Sequence, residues 1–201
     1  PFHVYSPSSK ESTLWIVKAT PQGENLNLKV AKKVKFDFSG RVITAHPSKP
    51  LLYVTATGGD PGKVPGAVVF LNKDGSYQKH QNINFNDGAC YLSLDRENRH
   101  ILGVSYGNGR LNIYPLDDNG IPGKAVTTID EGKREAHCIL LPPDGKNVYI
   151  PYVKGNLAIL QYAYDGTTGK VTPLKPKEAK PPLGSGPRHM AYHPTLPMVY
   201  F

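Results

Sequence analysis

Ala136-His137-Cys138-Ile139-Leu140-Leu141-Pro142-Pro143-Asp144-Gly145-Lys146-Asn147-Val148-Tyr149-Ile150 reads as a short β-hairpin. Apolar residues run up to a Pro-Pro-Asp-Gly turn and resume after it. The same sentence occurs three more times. Gly40-Arg41-Val42-Ile43-Thr44-Ala45-His46-Pro47 leads to Leu51-Leu52-Tyr53-Val54. Ala89-Cys90-Tyr91-Leu92-Ser93-Leu94-Asp95-Arg96 leads to Ile101-Leu102-Gly103-Val104, and Pro187-Arg188-His189-Met190-Ala191-Tyr192-His193-Pro194 leads to Met198-Val199-Tyr200-Phe201. Pro47, Arg96, Pro143 and Pro194 align, at steps of 49, 47 and 51 residues.

Each hairpin is followed by a glycine-bearing turn and a third apolar run: Ala67-Val68-Val69-Phe70, Leu111-Asn112-Ile113-Tyr114, and Ala158-Ile159-Leu160-Gln161-Tyr162. An acidic-glycine turn and a more polar fourth segment complete the unit. Four short strands every 45–50 residues predict an all-β chain built as a β-propeller of four-stranded blades, because one such sheet cannot bury both its faces without neighbours. The blade units fall at about 1–35, 36–84, 85–131 and 132–183, with the start of the next at 184–201, all within one domain. Thr13-Leu14-Trp15-Ile16-Val17 is the third strand of the first unit. About four blades leave the ring incomplete, so the expectation is that residues 1–201 are the N-terminal portion of a longer propeller.

Composition sets the outer limits. With 39% apolar and 20% charged residues, the chain is too apolar to be disordered. No run approaches the 18 apolar residues of a membrane span. The excess of 24 basic over 16 acidic residues gives +8. The lysines are dispersed, except in Lys29-Val30-Ala31-Lys32-Lys33-Val34-Lys35, which alternates like the solvated face of a strand. That favours a small anionic ligand over nucleic acid or a membrane. Cys90 and Cys138 fall near equivalent points of neighbouring repeats and read as small buried side chains, not a disulfide.

The residues opening the four inner strands are Arg41, Cys90, His137 and Arg188, and a propeller gathers such positions around its channel mouth. Two guanidiniums and an imidazole there could bind an anion and move a proton. The same residues could equally be strand caps bonded to loop carbonyls. Other signals carry less. Gly58-Gly59-Asp60-Pro61-Gly62-Lys63 lacks the spacing, the Ser or Thr, and the helix of a phosphate loop, and reads as a long turn. His189 and His193 would lie about 13 Å apart on a strand, too far to share a metal. His46 and His193 precede prolines in the turn motif and read as structural. No Gly-x-Ser-x-Gly elbow is present.

The string Gly184-Ser185-Gly186-Pro187-Arg188-His189-Met190-Ala191-Tyr192-His193-Pro194 resembles the bacterial seven-bladed propeller 6-phosphogluconolactonases, relatives of the fungal carboxy-muconate lactonising enzyme. Ala136-His137-Cys138, Pro143-Asp144-Gly145-Lys146 and Val4-Tyr5-Ser6-Pro7 fit the same pattern. The resemblance implies hydrolysis of 6-phospho-glucono-lactone, with His137 and Arg188 as catalytic residues and a Glu just past Phe201. Arg41, from the repeat alignment, and His189 are the candidate substrate-binding residues. No metal or organic cofactor is implied. A monomer or weak dimer in the cytoplasm is expected, or in the periplasm if a leader has been removed. Two alternatives stay open: a lactonising isomerase using the same His and Arg, and a non-catalytic propeller that binds a protein or sugar.

Overall fold

The computed structural model describes residues 1–201. They form two compact units, Pro1–Phe85 and Asn86–Phe201. Apart from one 3-10 turn at Lys154–Asn156, every regular element is a strand, and no helix is long and apolar enough to cross a membrane.

The first unit holds two antiparallel meanders. One orders β1 (Phe2–Ser8), β2 (Thr13–Gln22) and β3 (Asn25–Lys35) as β1-β2-β3. The other orders β4 (Val42–Ala45), β5 (Leu51–Thr55), β6 (Val64–Leu71) and β7 (Tyr77–Phe85) as β4-β5-β6-β7. Central strands carry the core: β5 is buried throughout, while β7 is mostly open. Tyr5 Oη donates to Gly75 O at 2.7 Å, and His3 Nδ1 lies 3.0 Å from Asp74 O, so the first meander clasps the acidic-glycine turn of the second.

The Lys29–Lys35 run is a strand, but its valines do not share one face. A bulge opposite Ile16/Val17 pairs Ile16 with Lys32 and Val17 with Val30, leaving Ala31 as the extra residue. The side-chain period of a strand is two, so that one residue moves Val30, Leu28 and Leu26 to the face opposite Val34. Val34 is buried and the other three are exposed. Residues 56–63 form the long turn expected, and a strand follows it.

The second unit contains β8 (Tyr91–Leu94), β9 (His100–Val104), β10 (Leu111–Pro115) and β11 (Thr127–Ile129), one four-stranded meander. Then come β12 (Asn147–Tyr152), β13 (Ala158–Asp165) and β14 (Lys170–Ala179), and the hairpin β15 (Ala191–Tyr192) with β16 (Val199–Tyr200). Leu102, Leu111 and Ile113 of the four-stranded sheet pack with Ile139, Val148 and Leu160 in one apolar core. This is blade-on-blade burial, the step that makes each sheet stable.

One backbone hydrogen bond recurs in each full repeat. Arg41 N donates to Thr55 O, Cys90 N to Val104 O and His137 N to Pro151 O, each fourteen residues on, at 2.8–3.1 Å. The third repeat nevertheless departs from the four strands expected of it. Its inner segment is reduced to bridges at Ala136–Tyr152 and Leu140–Tyr149. Pro151 accepts from His137 but has no N–H to return, so the ladder is broken where the inner strand should form.

The turns after the inner strands are closed by side chains. His46 Nδ1 accepts from Ser48 N and Lys49 N, His193 Nδ1 from Thr195 N and Leu196 N, and Asp95 Oδ1 from Arg99 N and His100 N. His46 and His193 are therefore turn caps. Both cysteines are free. Cys138 is buried, whereas Cys90 is half-buried and its thiol donates to Ala136 O at 3.1 Å.

A buried polar cluster ties β9 to β13. Tyr164 Oη donates to Asp95 Oδ2 at 2.9 Å, and His100 Nδ1 lies 3.1 Å from that oxygen and 2.9 Å from Tyr164 Oη. Burial alone would raise the Asp95 carboxyl, but hydrogen bonds from His100, Tyr164 and Arg99 outweigh it and hold the group below its ordinary value. Its stabilising effect is thus present above about pH 3.9 and is lost as pH falls through the lower folded value. Tyr164→Phe removes one of those bonds inside the core. It should lower the free energy of unfolding by about 1–3 kcal/mol at neutral pH. Denaturant titration checks this, and an unchanged midpoint would show that the hydroxyl is dispensable.

Candidate functional site

The broken inner strand of the third repeat leaves His137 held by its backbone and open at its side chain. Its N–H is tied to Pro151 O, while Glu135 N donates to Tyr106 O and Val153 N donates to Glu135 O. These bonds fix the segment between the loop after β9 and the end of β12. The imidazole stands edge-on to Tyr106, with ring centroids 5.8 Å apart and planes at 84°, and packs on His189 at 5.1 Å and 72°.

His137 Nδ1 is out of solvent and has no hydrogen-bond partner. A buried unpaired nitrogen is uncommon enough to need a reason. Burial first, then the charges of Arg188 and His189, push the His137 pKa below its ordinary value of 6.5. The ring is therefore neutral at neutral pH and able to accept a proton.

A cleft of about 610 Å³ opens beside it. Its wall carries His137, Tyr106, Lys154 and Arg188, with residues 184–186 along one side. The volume lies within the range of small-molecule sites. Arg188 and His189 are exposed. Lys154 on the cleft wall has left-handed backbone at φ 54°, as do its ion-pair partner Glu135 at φ 71° and Leu157 at φ 39°, which ends the same turn. Such conformations persist only where surrounding structure imposes them, and they collect at ligand sites. Gly186 has the reverse signature. Its φ is not positive, and a Cβ added there would meet nothing within 4 Å. Neither strain nor crowding inside the chain calls for glycine, and the free space beside it is the cleft.

The structure thus brings together three of the residues singled out from the sequence, His137, Arg188 and His189. Arg41 lies in the first unit, exposed, with its N–H bonded to Thr55 O ahead of β4. Cys90 occupies the repeat position of His137, but burial pushes its thiol up to about 12, so it stays protonated. His189 faces His137 while His193 packs on Tyr200, and the two histidines serve different neighbourhoods. No group of three or more His, Cys, Asp or Glu side chains is placed to hold a metal.

Lys154, Tyr106 and Glu135 were not visible as site residues in the sequence. Antiparallel pairing offers a signal for one of them, Lys154. The turn after the second strand of each blade must open at the end where the inner strand begins, so loop 153–157 belongs beside His137.

A family model described as lactonase, 7-bladed β-propeller, matches residues 4–201. The 6-phosphogluconolactonase of Cronobacter sakazakii is 29% identical over 199 residues, covering 98% of this chain and 56% of that protein. The 6-phosphogluconolactonase of Erwinia tasmaniensis is 26% identical over 200 residues, covering 97% and 56%. The solved structure of the periplasmic gluconolactonase PpgL of Pseudomonas aeruginosa superposes with a TM-score of 0.77 at 18% identity, over 95% of this chain and 58% of that one. The last likeness is one of fold. The chain spans about half the length of the curated relatives it matches.

The electrostatics of the cleft give a direct test. Imidazole NMR titration of the full-length protein should place the His137 midpoint below 6.5. Arg188→Met removes a positive charge that disfavours the imidazolium, so the midpoint should move up. A wild-type midpoint at or above 6.5 would contradict the reading of a neutral, desolvated ring.

Proposed function

The chain belongs to the seven-bladed β-propeller lactonase family, and from that premise we propose that it hydrolyses a sugar lactone, 6-phospho-glucono-lactone, at the cleft beside His137. The observation that carries the proposal is a neutral, half-buried imidazole next to a guanidinium in a cleft of substrate size.

In this scheme His137 acts as general base. With Nδ1 sealed in the protein, Nε2 is the nitrogen left to take a proton from water. The resulting hydroxide adds to the lactone carbonyl carbon, and the carbonyl oxygen becomes an oxyanion. Arg188 stabilises that charge with its planar array of N–H donors. The tetrahedral centre collapses, the bond from carbonyl carbon to ring oxygen breaks, and the ring oxygen takes the proton back from His137. The product is the open-chain 6-phosphogluconate. His189 packs against the base and is exposed, which suits it to hydrogen-bond a sugar hydroxyl. Arg41 has no part in this scheme. The net charge of +8 suits an anionic substrate.

His137→Ala in the full-length protein should reduce kcat on 6-phospho-glucono-lactone by about 10²–10⁴-fold, the usual worth of a positioned base. The thermal midpoint should stay close to wild type, because the ring nitrogen that would be lost from the interior makes no hydrogen bond. Near-wild-type turnover would remove His137 as the base. Turnover of a carboxylated muconate lactone in place of the sugar lactone would overturn the substrate.

A further inference from the structure

The cleft carries two cationic side chains, and lactone opening at His137 employs only one of them. Lys154 begins the turn Lys154–Asn156 that joins β12 to β13. Its side chain is 70% exposed, and its Nζ lies 3.6 Å from Glu135 Oε1 and 5.6 Å from the centroid of the Tyr106 ring. Tyr106 in turn meets His137 edge-on. A file of side chains thus runs from the imidazole to the ammonium along one wall.

The base of Lys154 is rigid and strained. Asn156 Nδ2 donates to Arg134 O at 2.6 Å, and Tyr152 Oη donates to Gly109 O at 2.8 Å. The left-handed positions of this turn fall on Lys154 and Leu157, although Gly155 between them would accept positive φ freely. Glu135, its ion-pair partner, is left-handed as well. Nothing in the local turn explains why two partnered charges, one of them on the cleft wall, should both occupy such backbone.

An ion pair at 3.6 Å whose lysine is largely in solvent contributes little to stability, even with Glu135 half-buried, so Lys154 can exchange the carboxylate for a stronger anion. A phosphate dianion is such a group, and a lysine ammonium binds it as a point charge. A lactone that carries its carbonyl at one end and a phosphate at the other needs two separated positive groups in one cleft of about 610 Å³. Resting on the lactonase reading, we propose that Lys154 is a specificity-determining residue that receives the phosphate arm of the substrate, leaving Arg188 to the carbonyl end. Glu135 and Tyr106 hold the ammonium at the rim when the cleft is empty.

Binding of the reaction product tests this without turnover. Calorimetric titration of the full-length protein should show 6-phosphogluconate bound at least tenfold more tightly than gluconate. Lys154→Met should bring the two within threefold, and Lys154→Arg should keep most of the preference. Lys154→Gly relieves the left-handed strain. It should lose the preference while its thermal midpoint equals or exceeds wild type, which separates the loss from misfolding. A wild-type protein without the preference, or Lys154→Met and Lys154→Gly proteins that keep it, would overturn the assignment. A protein that shows the preference, loses it in both variants and still opens no lactone supports the phosphate site and contradicts the activity on which it was built.

Discussion

A single backbone hydrogen bond, from the residue that opens each inner strand to a carbonyl fourteen residues on, sets the frame for this chain. It recurs at Arg41, Cys90 and His137. Its own worth is about 1 kcal/mol each time. Its effect on register is larger, because it decides which residue stands at the open end of every blade. At the third position the acceptor is Pro151, which cannot donate in return. The inner strand survives there only as two bridges, and the segment around His137 is shaped by loops instead of by a ladder.

Equivalent backbone positions do not confer equivalent chemistry. Cys90 and His137 make the same strand-opening bond, yet the Cys90 thiol is pushed up to about 12 by burial and donates to Ala136 O. That leaves it a structural donor with no nucleophile. Burial acts on His137 too, but with the opposite consequence. An imidazole denied its charged form is a neutral base at physiological pH, and nearby Arg188 reinforces the effect. One physical cause, desolvation, keeps the thiol protonated and the imidazole neutral.

The fold was legible because its signals are local and repeated: apolar runs, turn residues and a constant spacing. That His137 and Arg188 come to one place was legible for the same reason, as they occupy the same position of neighbouring repeats. The limits of that reading have physical causes. A bulge of one residue at Ala31 reversed the faces of β3, and nothing in the alternation of Lys and Val announces it. Lys154 lines the cleft, and Glu135 pairs with it, through left-handed backbone on non-glycine residues, which follows from tertiary bonds and not from residue type. Tyr106 reaches the site from a neighbouring blade, so its role rests on blade packing that no single repeat contains. Asp95 caps its turn and also anchors the cluster with His100 and Tyr164, and only the tertiary structure shows the second role.

A crystal structure of the full-length protein with 6-phosphogluconate bound bears most directly on the central claim, that His137 and Arg188 address the same carbonyl. The account predicts the sugar acid in the cleft, with its carboxylate within hydrogen-bond distance of both the His137 imidazole and the Arg188 guanidinium. A ligand seated away from both residues, or coordinates in which those two side chains face opposite sides of their blades, would contradict it.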